Sequence, residues 1–124
     1  MDATVMTKAA GTVSGNEKFI LQITGIIESY ISSPELNVSF LAEQARLSPK
    51  QLTRQLKAVL GCTPVEYIRN IRIKQAAAML ERGGYFTIAE VMYAVGFTDA
   101  SYFARCFQEK FGCTPTQFKK RHAD

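Results

Sequence analysis

The sequence predicts an all-α domain of about seven helices, in which two related helical units are joined by a long linker helix. Three observations carry the prediction. Apolar residues recur at three- and four-residue spacing, and no alternating strand pattern competes with them. Five of the periodic runs are preceded by Ser or Thr with Glu or Gln three positions later, the pairing in which two side chains satisfy free backbone N–H groups of the first helical turn. Finally, a stretch of about fifty residues returns later in the chain. With 124 residues, 47% apolar and 21% charged, there is room for one core, or for two very small units sharing one.

Residues 1–15, rich in Thr, Ala, Ser and Gly without a sustained period, read as a flexible linker or tail. From Asn16 the apolar positions Phe19, Ile20, Ile23, Ile26, Ile27, Tyr30 and Ile31 form the stripe of an amphipathic helix over 16–31. Ser33-Pro34 ends it, because the residue before a proline is pushed out of the helical region. Residues 16–37 thus make a lead-in helix and connector. Its stripe is covered either by the rest of the domain or by a second chain, and the short connection onward favours the first. The capping pairs are Ser14 with Glu17, Ser48 with Gln51, Thr63 with Glu66, Thr87 with Glu90 and Thr114 with Gln117; Ser32 with Glu35 matches but opens no run. Pro49, Pro64 and Pro115 occupy first helical positions, where a missing N–H does no harm. With Ser39 as a further cap, helices are predicted at 39–45, 49–60, 64–82, 88–94, 100–111 and 115–121. Gly83-Gly84 stops the longest, a rod of about 28 Å. Its face of Tyr67, Ile68, Ile71, Ala76, Met79 and Leu80 is expected to pack on both units.

The repeat is specific in its residues. Leu52-x-Arg54-x-Leu56, Gly61-Cys62-Thr63-Pro64 and Tyr67-Ile68 return as Phe103-x-Arg105-x-Phe107, Gly112-Cys113-Thr114-Pro115 and Phe118. Upstream, Leu41-Ala42 and Arg46-Leu47-Ser48 return as Val91-Met92 and Gly96-Phe97-Thr98, with one residue near Asp99 added in the second copy. Each copy is a short helix, a tight turn, a second helix and a Gly-x-Thr-Pro junction, which is the arithmetic of a helix-turn-helix. Residues 38–124 therefore read as a tandem helix-turn-helix domain built from homeodomain-like three-helical units. One departure stands out: Arg46 occupies the position of Gly96, which calls the tightness of the first turn into question.

Charge divides unevenly along this frame. Residues 1–45 carry two Lys against five acids, net −3, and residues 46–124 carry thirteen Lys and Arg against six acids, net +7. A basic C-terminal two-thirds points to an acidic partner, nucleic acid first, with a merely solvated basic surface as the alternative. Three cysteines, Cys62, Cys106 and Cys113, are an odd number and are spaced unlike zinc ligands. The single histidine, His122, lies two residues from the end, which disfavours Ser-His-Asp and Cys-His chemistry, and no phosphate-cradling glycine loop is present. Neither an enzyme nor a bound metal or cofactor is expected. No run approaches a membrane span and the first fifteen residues do not read as a signal peptide, so no membrane contact and a cytoplasmic location are expected.

The second copy, Ile88 to Phe107 with Gly96-Phe97-Thr98 and Ser101-Tyr102-Phe103, followed by Phe111-Gly112-x-Thr114-Pro115 and Phe118, resembles the signature of the AraC family of bacterial transcription regulators. The resemblance covers about residues 38–121. The lead-in helix followed by Phe40-Leu41-Ala42-Glu43 is similar to the output domains that end hybrid two-component sensors of Bacteroides-type bacteria. The resemblance implies a sequence-specific double-stranded DNA-binding domain. It further implies a partner in RNA polymerase through the full-length regulator, and dimerisation through upstream domains. A helical protein-interaction module without DNA binding is the alternative.

In a helix-turn-helix the second helix lies in the major groove and presents its N-terminal half to base edges. With Leu52, Leu56 and Val59 inward, Lys50, Gln51, Thr53, Arg54 and Lys57 are left outward or flanking. The matching set in the second copy is Ser101, Tyr102, Ala104, Arg105 and Gln108, with Ala100 as the added neighbour. Arg54 and Arg105 share a repeat position from which an arginine pairs bidentately with guanine O6 and N7; contact with phosphate or a carboxylate is the alternative for each. Lys50 and Lys57 suit phosphates. Ser48 and Thr98, at helix N-termini, suit either a phosphate oxygen or simple capping. Phe97, Phe103, Phe107, Phe111 and Phe118 have the spacing of a core, and Tyr102 is set apart as a backbone-contacting hydroxyl. The tandem arrangement implies a non-palindromic element of roughly 17 to 20 base pairs, read in two segments about one helical turn apart.

Overall fold

A computed structural model of the chain describes residues 14–84 and 86–123. Seven helices follow in order: α1 (Gly15–Ser29), α2 (Val38–Gln44), α3 (Pro49–Leu60), α4 (Pro64–Arg82), α5 (Ile88–Ala94), α6 (Ala100–Phe111) and α7 (Pro115–Arg121). All five capping pairs close reciprocally. At α4, for example, Thr63 N–H donates to Glu66 Oε1 at 2.9 Å and Glu66 N–H donates to Thr63 Oγ1 at 3.1 Å. The tail expected over 1–15 falls, up to residue 13, outside the described residues. Ser14 and Gly15 already belong to the cap and first turn of α1.

Two helices, α1 and α2, differ from expectation in their bounds. Ser39 is not a cap: Asn37 takes that place, its Oδ1 accepting from Phe40 N–H at 2.8 Å, and α2 starts one residue earlier. An asparagine side chain reaches the third N–H of the helix as well as a serine does, and Asn37 stands where that geometry is met. The lead-in helix also ends at Ser29, two residues short of Ile31. The carbonyls of Ile31 and Ser33 instead accept from the guanidinium of Arg72 on α4, so a tertiary partner replaces the last helical turn.

Two cores form. The first gathers Phe19, Ile23 and Ile27 of α1, Leu36, Leu41, Ala42 and Ala45 around α2, Leu52 and Leu56 of α3, and Ile68 and Ile71 of α4. The apolar stripe of the lead-in helix is therefore spent within its own chain. The second core gathers Ile73, Ala76, Ala77 and Leu80 of α4 with Val91, Met92, Val95, Phe97, Phe103, Cys106, Phe107, Cys113 and Phe118. Aromatic rings dominate it: Phe97 lies 5.1 Å from Phe103 with the two rings tilted, and Phe107 lies 5.3 Å from Phe118 in an edge-to-face pair. This is the packing expected for the phenylalanines, Phe111 being half-buried at the rim.

α4 does not offer both units a single face. At about 100° per residue, Pro64, Ile68 and Ile71 point one way, while Ile73, Ala77 and Leu80 point nearly the opposite way. The N-terminal half thus packs against the first unit and the C-terminal half against the second, from opposite sides. Ile73, absent from the expected face, is almost wholly buried in the second core.

Candidate nucleic-acid interface

The two turns are built alike. In the first, Arg46 N–H donates to the Glu43 carbonyl at 3.0 Å and Leu47 N–H to the Ala42 carbonyl at 2.9 Å. In the second, Gly96 N–H donates to the Tyr93 carbonyl at 3.1 Å and Phe97 N–H to the Met92 carbonyl at 3.0 Å. Both turns need a residue of positive φ, and Arg46 supplies it at 62° where Gly96 does so at 95°. The side chain at position 46 therefore does not loosen the first turn. It holds the same turn at the cost of a left-handed backbone.

Each turn delivers a helix with one apolar and one polar face. On α3, Leu52 and Leu56 are fully buried and Val59 half-buried, whereas Lys50, Gln51, Thr53, Arg54 and Lys57 are all exposed. On α6, Phe103, Cys106 and Phe107 are buried, whereas Ala100, Ser101, Tyr102 and Arg105 are exposed and Ala104 is half-buried. Every residue singled out in the sequence thus lies on the outward side of its unit. Several are already engaged. Gln51 Oε1 accepts from Ser48 N–H at 2.9 Å and Gln51 N–H donates to Ser48 Oγ at 3.1 Å, so Gln51 presents outward only its amide NH2 group. The Arg105 guanidinium lies 5.4 Å from the centre of the Tyr102 ring, and the Tyr102 hydroxyl accepts from Arg69 Nη1 at 3.4 Å. That bond, the largest influence on Arg69, raises its already high pKa.

Thr98 is not at the helix terminus. The residue inserted in the second copy moves the cap to Asp99, whose Oδ1 accepts from Tyr102 N–H at 2.9 Å, and Thr98 sits one position outside it, exposed. The first recognition helix is therefore capped by the neutral Ser48 and the second by a carboxylate. An acid at a helix N-terminus takes up the positive end of the dipole that a phosphate would otherwise use. Asp99 carried a signal in the sequence, an Asp three residues before Tyr102. Arg69 and Arg72 carried none, because what they touch lies in other elements.

A family model described as a helix-turn-helix domain matches residues 41–121, which spans both turns, both outward faces and the linker helix. The chain belongs to the AraC-type helix-turn-helix family. This AraC-type domain is 32% identical over 120 residues, 96% of its length, to a protein named histidine kinase P4 from Formosa agariphila, of which it spans 9%. It is 33% identical over 86 residues, 69% of its length, to the HTH-type transcriptional activator RhaS of Escherichia coli, of which it spans 31%. Among solved structures, it is similar to the C-terminal domain of AraT, a response regulator from Geobacillus stearothermophilus. That match has a TM-score of 0.77 and 26% identity, covering 87% of this chain and 88% of the other. The AraC-type chain thus spans about a tenth of one relative and about a third of the other.

Between its two units the AraC-type domain leaves a cleft of about 320 Å³. Leu36 and Val38 of the first unit, Val65, Arg69 and Arg72 of α4, and Phe97 and Tyr102 of the second line it. No described helix is long and apolar enough to cross a membrane. Among the described residues no group of three or more His, Cys, Asp or Glu is placed to hold a metal ion.

Proposed function

We infer that the chain is the sequence-specific, double-stranded DNA-binding module of a transcription regulator, reading two successive major-groove segments with α3 and α6. The observation that carries this reading is the duplication of one turn geometry, each copy followed by an exposed polar face with an arginine at the same place, Arg54 in one and Arg105 in the other. Membership in the AraC-type family supports it. Arg54 and Arg105 read guanine through the bidentate pairing their planar forks allow. Thr53, Ser101 and Ala100 lie beside them toward base edges. Lys50, Lys57 and Ser48 hold the first unit on phosphates, Ser48 through its hydroxyl and the N-terminus of α3. Tyr102 and Thr98 meet the backbone beside the second segment, and Gln51 donates through its amide nitrogen. The role is binding without catalysis.

The likeness to a long protein named as a histidine kinase, nearly all of this chain falling within a small part of it, supports a place as the output segment of a hybrid two-component sensor. In that setting upstream domains supply the signal and the dimer contact, RNA polymerase is the partner acted on, and this segment lies in the cytoplasm. The test is selection of duplexes from a randomised library by the chain itself. A non-palindromic element of about 17 to 20 base pairs in two segments is expected. Recovery of no enriched sequence overturns DNA reading in favour of a helical protein-interaction module.

A further inference from the structure

Arg72 stands where α4 passes from one core to the other: Ile71 is buried with the first unit and Ile73 with the second. Its half-buried side chain belongs to neither core. Nε donates to the Ile31 carbonyl at 3.3 Å and Nη2 to the Ser33 carbonyl at 3.4 Å. Both carbonyls belong to the segment after α1, a helix anchored in the first core by Phe19, Ile23 and Ile27. The other side of the same contact is Gly96, in the turn that delivers α6. A Cβ there would overlap the Ile31 carbonyl oxygen and come within 2.7 Å of Arg72 Nε. The Ile31 side chain packs against both cores. The guanidinium thus holds the segment after α1 to the waist of α4 by two hydrogen bonds, and the recognition turn of the second unit packs closely against that contact at Gly96, off the axis of α4.

We propose that Arg72 is a positioning residue for DNA recognition: by tying the segment after α1 to the waist of α4, where the turn at Gly96 packs against it, it fixes the angle between α3 and α6. It thereby sets how many base pairs the chain requires between the two segments it reads. The proposal rests on the reading of the chain as a two-segment DNA-binding module. The two units grip α4 from opposite sides, so a change in their mutual orientation includes rolling about the helix axis. The tie lies off that axis and resists rolling. Burial lowers the Arg72 pKa, but an arginine starts so high that it stays charged at neutral pH and keeps both donors. One added or removed base pair displaces the second segment by about 3.4 Å and turns it by about 35°. A fixed pair of helices meets that change only by deforming DNA or protein, whereas a loosened pair follows it.

The experiment uses the full chain and the duplex recovered by selection, prepared with its own spacing and with one base pair inserted or removed between the segments. The unaltered chain is expected to lose about tenfold or more in affinity at either altered spacing, the scale of a modest DNA deformation. Arg72→Met keeps length without the donors, and its penalty is expected to fall to about threefold or less. Arg72→Lys, with a single point donor in place of a fork, is expected to lie between the two. Affinity lowered by one common factor at all three spacings marks a merely structural residue and overturns the proposal, as does an unchanged spacing penalty. Residual dipolar couplings of the DNA-free chain supply a second readout. The two units should share one alignment in the unaltered chain and differ in Arg72→Met, or in Arg72→Lys if the methionine variant does not fold; one shared alignment in the variant overturns the tie. If the unaltered chain selects no duplex, the DNA-binding reading fails, and the couplings still decide whether Arg72 holds the two units together.

Discussion

The two copies of the turn allow a paired substitution with opposite expected signs. Arg46 and Gly96 occupy the same place in the repeat and both have positive φ, 62° and 95°. A side chain in the left-handed region costs about 1–2 kcal/mol, and Arg46 carries that strain while its side chain is exposed. Arg46→Gly relieves the strain but adds about 0.5–1 kcal/mol of backbone freedom to the unfolded chain. A net gain of about 0.5–1 kcal/mol is expected, or roughly 2–4 °C in Tm for a chain of this size. Gly96→Ala takes the same left-handed penalty and also drives a methyl group into the Ile31 carbonyl and the Arg72 guanidinium. Overpacking of that kind costs about 1–3 kcal/mol. Less the roughly 0.5–1 kcal/mol by which alanine restricts the unfolded chain, the expected loss is about 1.5–4 kcal/mol, or roughly 6–16 °C. Urea denaturation followed by circular dichroism at 222 nm, without DNA, measures both. A Gly96→Ala chain within about 1 kcal/mol of the parent would refute the close approach of the connector to the second turn, since strain and overlap together exceed that figure. Loss of stability in Arg46→Gly would refute the claim that Arg46 is strained.

Four further outcomes are expected. The affinity for duplex DNA should fall with a slope near −5 in a log–log plot against salt if about six phosphates are contacted; a slope shallower than about −2 contradicts docking of both units. Arg54→Ala should relax sequence preference in one segment of the selected element while Lys57→Ala weakens matched and mismatched duplexes alike; an equal drop for Arg54→Ala removes its base contact. A chain beginning at Asn37 lacks Phe19, Ile23 and Ile27, all buried in the first core. At about 1.5–3 kcal/mol for each buried side chain, that loss rivals the whole stability of a domain. Aggregation or an unfolded first unit is expected in sedimentation and NMR spectra, and a stable DNA-binding monomer would show that α1 is dispensable. The Glu66 carboxylate is held below its usual pKa, first by the Thr63 backbone N–H and then by its hydroxyl. Its stabilisation is complete above the unfolded-state pKa and is lost as pH falls through the lower folded value. Glu66→Gln should therefore flatten the acid limb of a stability–pH profile, and an unaltered limb would show that this cap does not titrate with folding.

The sequence by itself determined the helices and, for α3 and α6, the face each presents. Ser14, Ser48, Thr63, Thr87 and Thr114 act locally, on N–H groups three residues away, and a contact that local is written in adjacent letters. The same holds for Leu52 and Leu56 against Lys50, Arg54 and Lys57, because a 3.6-residue period separates inside from outside whatever covers the inside. Asn37 and Asp99 replaced the expected Ser39 and Thr98 as caps by shifts of one or two residues, within the freedom that Ser, Thr, Asn and Asp share at that position. The tertiary structure alone decided that α4 is gripped from opposite sides. Periodicity reports that a residue is apolar but not which of two partners it meets, so Ile73 dropped out of a face drawn as continuous. It alone decided that α1 ends at Ser29 and that its following carbonyls meet Arg72, 41 and 39 residues away. Glycine at 96 is required by a backbone oxygen from the far end of the other unit, and a contact between segments so distant in sequence leaves no spacing to be read.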